Sequence, residues 1–188
     1  MTGTVSGLIL AALAFLAIHI VPSSVLREKI VSGIGEKAYM GGFSLLSAVI
    51  LAWLIYAYNV APIGDMLYDA GNGGRYIALL LMLIASILFF GAVTSPNPTA
   101  VGAGKMLDKE GAYSGINAIT RHPMMWCFTL WSIAHILNNG DLPSILFFGT
   151  FGLLAFAGTF LIDAKKARQL GDGWGAYKAR TSNIPFAA

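Results

Sequence analysis

The sequence predicts an all-α integral membrane protein, with about five transmembrane helices in a single bundle. Three observations predict it. Of the 188 residues, 56% are hydrophobic and only 11% are charged, more apolar surface than a soluble domain of this length can hide. Long uncharged runs recur along the chain, each at or near the ~20 apolar residues that cross a hydrocarbon core. The basic residues gather on alternate connections, as the positive-inside rule asks of a chain that crosses the bilayer repeatedly.

The first helix is expected over residues 4–21. No basic segment precedes it, and Arg27 and Lys29 follow it, so it reads as an uncleaved helix with its N-terminus outside rather than as a signal peptide. The second and third helices are expected over 40–58 and 76–94. The fourth, over 123–138, is the short one. Its apolar core from Met124 to Leu137 has 14 residues, ~21 Å of helix against a ~30 Å hydrocarbon layer. To span, it must draw His122, or the polar end at His135, Asn138 and Asn139, toward lipid depth. Ionisable side chains there turn to the bundle interior. Pro123 suits the first helical position, where its missing N–H costs nothing, which makes His122 the N-cap. The fifth helix is expected over 142–162.

The chain reads as one domain, 1–188, with a long loop at about 95–120 and a tail over 163–188. All but one of the 12 lysines and arginines lie on the connection after the first helix, on that loop, among them Lys105, and on the tail. Arg75 alone falls on the other face, with Asp65, Asp69 and Asp141. The basic face is therefore expected to be cytoplasmic, with the N-terminus outside and the C-terminus inside. The net charge of +3 is explained without nucleic acid, since no basic cluster is interleaved with aromatics. Pro96, Pro98 and several glycines exclude a continuous helix from the loop, and its length suits a lid over the mouth of the fourth helix. No phosphate-binding glycine pattern, HExxH, serine triad or paired carboxylate occurs. The single cysteine, Cys127, reads as a small buried hydrophobe.

The three histidines are the candidates for chemistry. His19 and His122 both belong at cytoplasmic helix ends. His135 follows His122 by 13 residues, roughly 20 Å along a regular helix, while two axial nitrogens on one iron stand only ~4 Å apart. Depth thus excludes His122 with His135 and leaves His19 with His122 as a pair able to share a metal. The bland alternatives stand beside this: an N-cap for His122, an interhelical hydrogen bond for His19 and local bonding to Asn138 or Asn139 for His135. Arg121 is either a positive-inside anchor or a partner for a phosphate or a haem propionate.

The stretch GINAITRHPMMWCFTLWSIAHILNNGD, with AIHIVPSSVLREKI and IGEKAY before it and WGAYKARTSNIPF at the end, resembles the NnrU family of bacterial membrane proteins. That family is similar in turn to zeta-carotene isomerase, a membrane enzyme with histidine-ligated b-type haem. The resemblance implies haem b on His19 and His122, with Arg121 a propionate partner and His135 the remaining family histidine. It implies either redox-gated cis–trans isomerisation of a lipophilic polyene or a redox role linked to nitrogen oxides and denitrification. The Arg-His-Pro helix start and the aromatic tail are also similar to membrane methyltransferases that use S-adenosylmethionine. There an acidic pair follows the last helix, where this chain has Asp163-Ala164-Lys165-Lys166. A non-catalytic sensor or assembly factor is the third reading, and protein partners are left open.

Overall fold

The structure is a computed structural model that describes residues 3–100, 106–107, 109 and 111–187. Lys105 and the glycines beside it in the long loop lie outside the described residues. The chain forms α1 (Val5–Ile20), a 3-10 turn (Val21–Ser23), α2 (Val25–Ile34), α3 (Glu36–Val60), α4 (Gly71–Thr94), α5 (Ile116–Ile119), α6 (Pro123–Asn138), α7 (Leu142–Leu170) and α8 (Asp172–Ala179). Helices α3, α4 and α7 are long and apolar enough to cross a membrane, and α1 is a shorter apolar helix. This is an all-α, multi-pass membrane bundle, and each of the five expected apolar helices is present.

Two features differ from expectation. Helix α7 runs to Leu170, so Asp163, Lys165 and Lys166 are helical and not the start of a tail. Their charges read as solvated chain, yet Ala, Lys, Arg, Gln and Leu are strong helix formers. The helix stops only at Gly171, whose φ of 53° suits glycine at a C-terminal stop. Helix α2 was not foreseen. The Ser24 hydroxyl accepts from Leu26 N at 3.2 Å and caps it, a one-residue signal easily hidden between two apolar runs.

The helices pack in the order α3, α1, α7, α6, α4, each against the next. Leu8, Ala11, Ala12 and Phe15 of α1 meet Leu54 and Ala57 of α3, with Phe147 and Phe151 of α7 closing the cluster. On the other flank Ala85 and Leu88 of α4 meet Cys127 of α6 and Ile116 of α5, so Cys127 is the buried hydrophobe it was expected to be. Much of the remaining surface of α3 and α4 is apolar: Leu45, Val49, Leu79, Leu83 and Ile87 are exposed. On a bundle of spanning helices that surface faces acyl chains.

The two ends of the bundle are built differently. At one end Arg27 pairs with Glu36 and lies over the Tyr39 ring at 5.3 Å, joining α2 to α3. At the other end the α3–α4 connection meets the α6–α7 turn: Leu67 N donates to Gly140 O at 2.8 Å, and Tyr68 donates its hydroxyl to Ile136 O. A Cβ on Gly140 would stand 2.0 Å from Tyr68 O, so this turn requires glycine. Asp141 then caps α7 by accepting from Ser144 N at 2.9 Å.

Candidate functional site

The mouth of α6 follows from four consecutive residues. Thr120 is extended after α5. His122 is the N-cap of α6, as the proline after it predicts, but its side chain makes no capping bond. The imidazole turns inward instead, and its Nε2 lies 2.8 Å from Asp163 Oδ1. Arg121 grips the same carboxylate: Nε donates to Oδ1 at 3.0 Å, and Nη2 donates to Oδ2. Arg121 Nη1 donates to Thr181 O at 2.9 Å. The His122 ring is fully buried, and Arg121 and Asp163 nearly so.

The end of the chain seals this cluster. Arg121 N donates to Ser182 O at 2.8 Å and Phe186 N to Ile119 O at 3.0 Å. Asn183 O accepts from both Thr120 Oγ1 at 2.6 Å and Trp126 Nε1 at 2.8 Å. Helix α8 buries Trp174 and Tyr177 completely, and Tyr177 packs edge-on against Tyr113 of the long loop at 5.3 Å. Burial holds the Tyr177 phenol far above its ordinary value of 10.0. Asn117 pins the loop by donating to Pro96 O at 2.6 Å, and Lys166 reaches Ala100 O at 3.3 Å.

Burial lowers the pKa of His122 below its ordinary 6.5, against the upward pull of its hydrogen bond to Asp163. A neutral ring must donate Nε2–H to the carboxylate, because a carboxylate only accepts. Nδ1 is left with a lone pair, buried and without a partner. The guanidinium is committed to Asp163 and Thr181, whereas the imidazole bonds Asp163 through Nε2 and keeps Nδ1 as an unpartnered lone pair, an arrangement that also suits a ligand imidazole. Helix α1, which carries His19, and helix α6, which His122 caps, each pack on α7.

His19 and His135 have a different geometry. His19 Nδ1 bonds Phe15 O at 2.7 Å, and His135 Nδ1 bonds Trp131 O at 2.9 Å. A carbonyl only accepts, so Nδ1 carries the proton in each and Nε2 is the lone pair, the arrangement of a ligand imidazole. His19 rests against Phe15 and Phe43. His135 stacks on Phe148 at 4.5 Å. Each fits an iron singly, and no group of three or more metal-ligating side chains is gathered among the described residues.

His135 also lines a cleft of about 340 Å³ between α4 and α6, with Arg75, Ala78, Leu79, Met82, Ala134, Asn138 and Asn139. A second recess of about 270 Å³ shares Met82 and continues along the seam past Ala85, Ser86, Phe89, Phe90, Cys127 and Trp131. Sequence reasoning missed Asp163, the carbonyls of 181–183, and this seam. The signal for Asp163 was present as a lone acid closing an apolar run. The seam had none, because a gap between helices depends on which faces meet.

A family model described as NnrU protein matches residues 7–188. The chloroplastic 15-cis-zeta-carotene isomerase of Arabidopsis thaliana is 31% identical over 162 residues, 82% of this chain and 42% of the relative. That of Zea mays is 31% identical over 190 residues, 96% of this chain and 50% of the relative. The chain thus spans half or less of the length of these curated relatives. No solved structure matches it.

Two outcomes follow from the buried cluster. Asp163→Ala strips Arg121 of its only carboxylate partner among the described residues, and breaking a buried pair from one side costs roughly 3–5 kcal/mol. Thermal unfolding in detergent should show a large loss of stability, and an unchanged midpoint would refute the accounting. Because the folded pKa of His122 is depressed, its contribution is present above the unfolded value and lost as pH falls below 6.5. Unfolding midpoints measured from pH 7.5 downward should fall, with a shallower slope in His122→Gln.

Proposed function

The chain belongs to the NnrU family, and from that membership and its likeness to the two plant isomerases we propose that it is a membrane isomerase of a lipophilic, carotenoid-type polyene. The observation that carries the proposal is the 31% identity to those relatives, running through 82% and 96% of this chain. Cis–trans isomerisation neither adds nor removes atoms, so the protein's tasks are to take the polyene from the bilayer, hold it dry and fix one double bond. The α4–α6 seam supports this reading. It is apolar over most of its length and walled by Phe89, Phe90 and Trp131, aromatic faces on which a conjugated chain packs. In this reading the membrane is the bacterial inner membrane, as the family suggests, and the basic end, with Arg121 and α2, faces the cytoplasm in keeping with the positive-inside rule.

A b-type haem belongs to the proposal as the group that would supply a redox-switchable iron. On this chain His19 and His135 would offer Nε2 to it, and His122 would offer Nδ1. The sealed cluster at Arg121, His122 and Asp163 has a positioning role: it fixes where α6 begins and so where Trp131 and His135 stand in the seam.

Proteoliposomes incubated in the dark with 15-cis-zeta-carotene should shift the isomer ratio, read by chromatography, faster than protein-free vesicles. Ser86→Trp, which fills the recess from an exposed position, should slow the shift by at least about tenfold, on the scale of a lost near-attack geometry. An unchanged ratio under both oxidising and dithionite-reduced conditions would sink the isomerase reading. Separately, protein reconstituted with hemin should hold a stoichiometric Soret band, lost in those folded variants among His19→Ala, His122→Gln and His135→Ala that remove a ligand. No such band in folded wild-type protein would retire the haem.

A further inference from the structure

We propose that the α4–α6 cleft binds an anionic amphiphile, its oxyacid head at Arg75 and its hydrocarbon tail running down the seam past Trp131. The polar and apolar linings are segregated, which a plain polyene does not require. Arg75, His135, Asn138 and Asn139 lie at one end, while beyond Met82 the lining is apolar apart from Ser86. Small side chains hold the groove open, Ala78 and Ala85 on α4 and Ala134 on α6. From Arg75 to Phe90 the groove follows α4 for ~22 Å, the reach of an extended acyl chain and not of a small solute.

The head end has the charge and the geometry for an oxyacid. Arg75 is the one basic residue on its face of the chain. Among the described residues its hydrogen bond is to the neutral Asn72 Oδ1 at 3.3 Å, and no carboxylate forms an ion pair with it. It stands in the second turn of α4, where the positive end of the helix dipole also favours an anion. The remaining guanidinium nitrogens are free to take two oxygens side by side. His135, with Nδ1 fixed on Trp131 O and its ring stacked on Phe148 at 4.5 Å, is held as a wall of the head end. Asn138 and Asn139 each donate Nδ2 to a helix carbonyl, Ala134 O at 3.0 Å and His135 O at 2.7 Å. They hold the rim rather than compete for Arg75. A long-chain carboxylic acid and an anionic phospholipid share this chemistry.

The inference stands apart from the isomerase reading, since binding is measured without turnover. Purified protein in a nonionic detergent is titrated with dibromostearic acid, with its methyl ester, and with phosphatidylglycerol and phosphatidylcholine carrying the same brominated chain, while tryptophan fluorescence is followed. Bromine near the seam should quench Trp131 saturably with the free acid or with phosphatidylglycerol, and Trp131→Phe should remove most of the signal. The matching neutral probe should bind at least about tenfold more weakly, as should either anionic probe to Arg75→Gln, with Arg75→Lys restoring only part of the affinity; this is the size expected for loss of a charge-assisted contact. A response to the acid alone identifies a free fatty acid, and one to phosphatidylglycerol alone identifies a lipid head group. Equal quenching by the neutral probes, no saturable quenching, or an unaltered titration in Arg75→Gln overturns the proposal.

Discussion

The carboxylate of Asp163 is the constraint on which one end of the structure depends. It lies buried on a membrane helix, where an unpaired charge costs several kcal/mol. It is tolerated because two residues adjacent in sequence reach it together, Arg121 with two nitrogens and His122 with one. Only a planar, forked cation can hold one carboxylate oxygen pair and still send a third nitrogen to Thr181 O. A lysine at 121 would supply the charge without the fork. The contact fixes the start of α6 against α7. Because Thr120 and Arg121 also bond the carbonyls of 181–183, it fixes the end of the chain as well. The arginine and histidine at the mouth of an apolar helix are thus explained as an internal clamp.

From that clamp follows a division of labour along α6. Its first turn is sealed, with each guanidinium nitrogen of Arg121 hydrogen-bonded and the His122 ring closed off from solvent. Its far half faces α4 across alanines, and there the packing leaves room. A helix of 16 residues is too short to hide polar groups at both ends in lipid. One end solves this by burying its charges against α7 and the tail. The other leaves His135, Asn138 and Asn139 at a cleft that opens beside Arg75. The closed end provides rigidity, and the open end provides the place where something can bind.

Local signals made the helices legible and left their partnerships hidden. Uncharged runs marked all five apolar helices, and the His-Pro pair marked His122 as the N-cap. The same local reading ended the last helix at 162, because charge was taken for solvation. The bond that matters spans 42 residues in sequence, and no periodicity encodes which acid an arginine will meet. The pairing of His19 with His122 rests on depth alone. Depth along the bilayer was inferred from helix position, but depth does not say which helices touch. Helix α7 packs against both α1 and α6, and the two histidines turn to different neighbours.

The three imidazoles carry a further lesson about roles. In a neutral imidazole one nitrogen donates and the other accepts, and the partner of one decides what the other offers. For His19 and His135 that partner is the carbonyl four residues back in the same helix, so the outward nitrogen is a base. For His122 the partner is a carboxylate, so the outward nitrogen donates and the remaining lone pair points into protein with nothing to accept from. A residue that sits at the most suggestive motif in the sequence is chemically the least available of the three. His135 carries its lone pair at the rim of an apolar groove with a guanidinium beside it. The chemistry of this chain is therefore best sought in the half of α6 that the clamp leaves open.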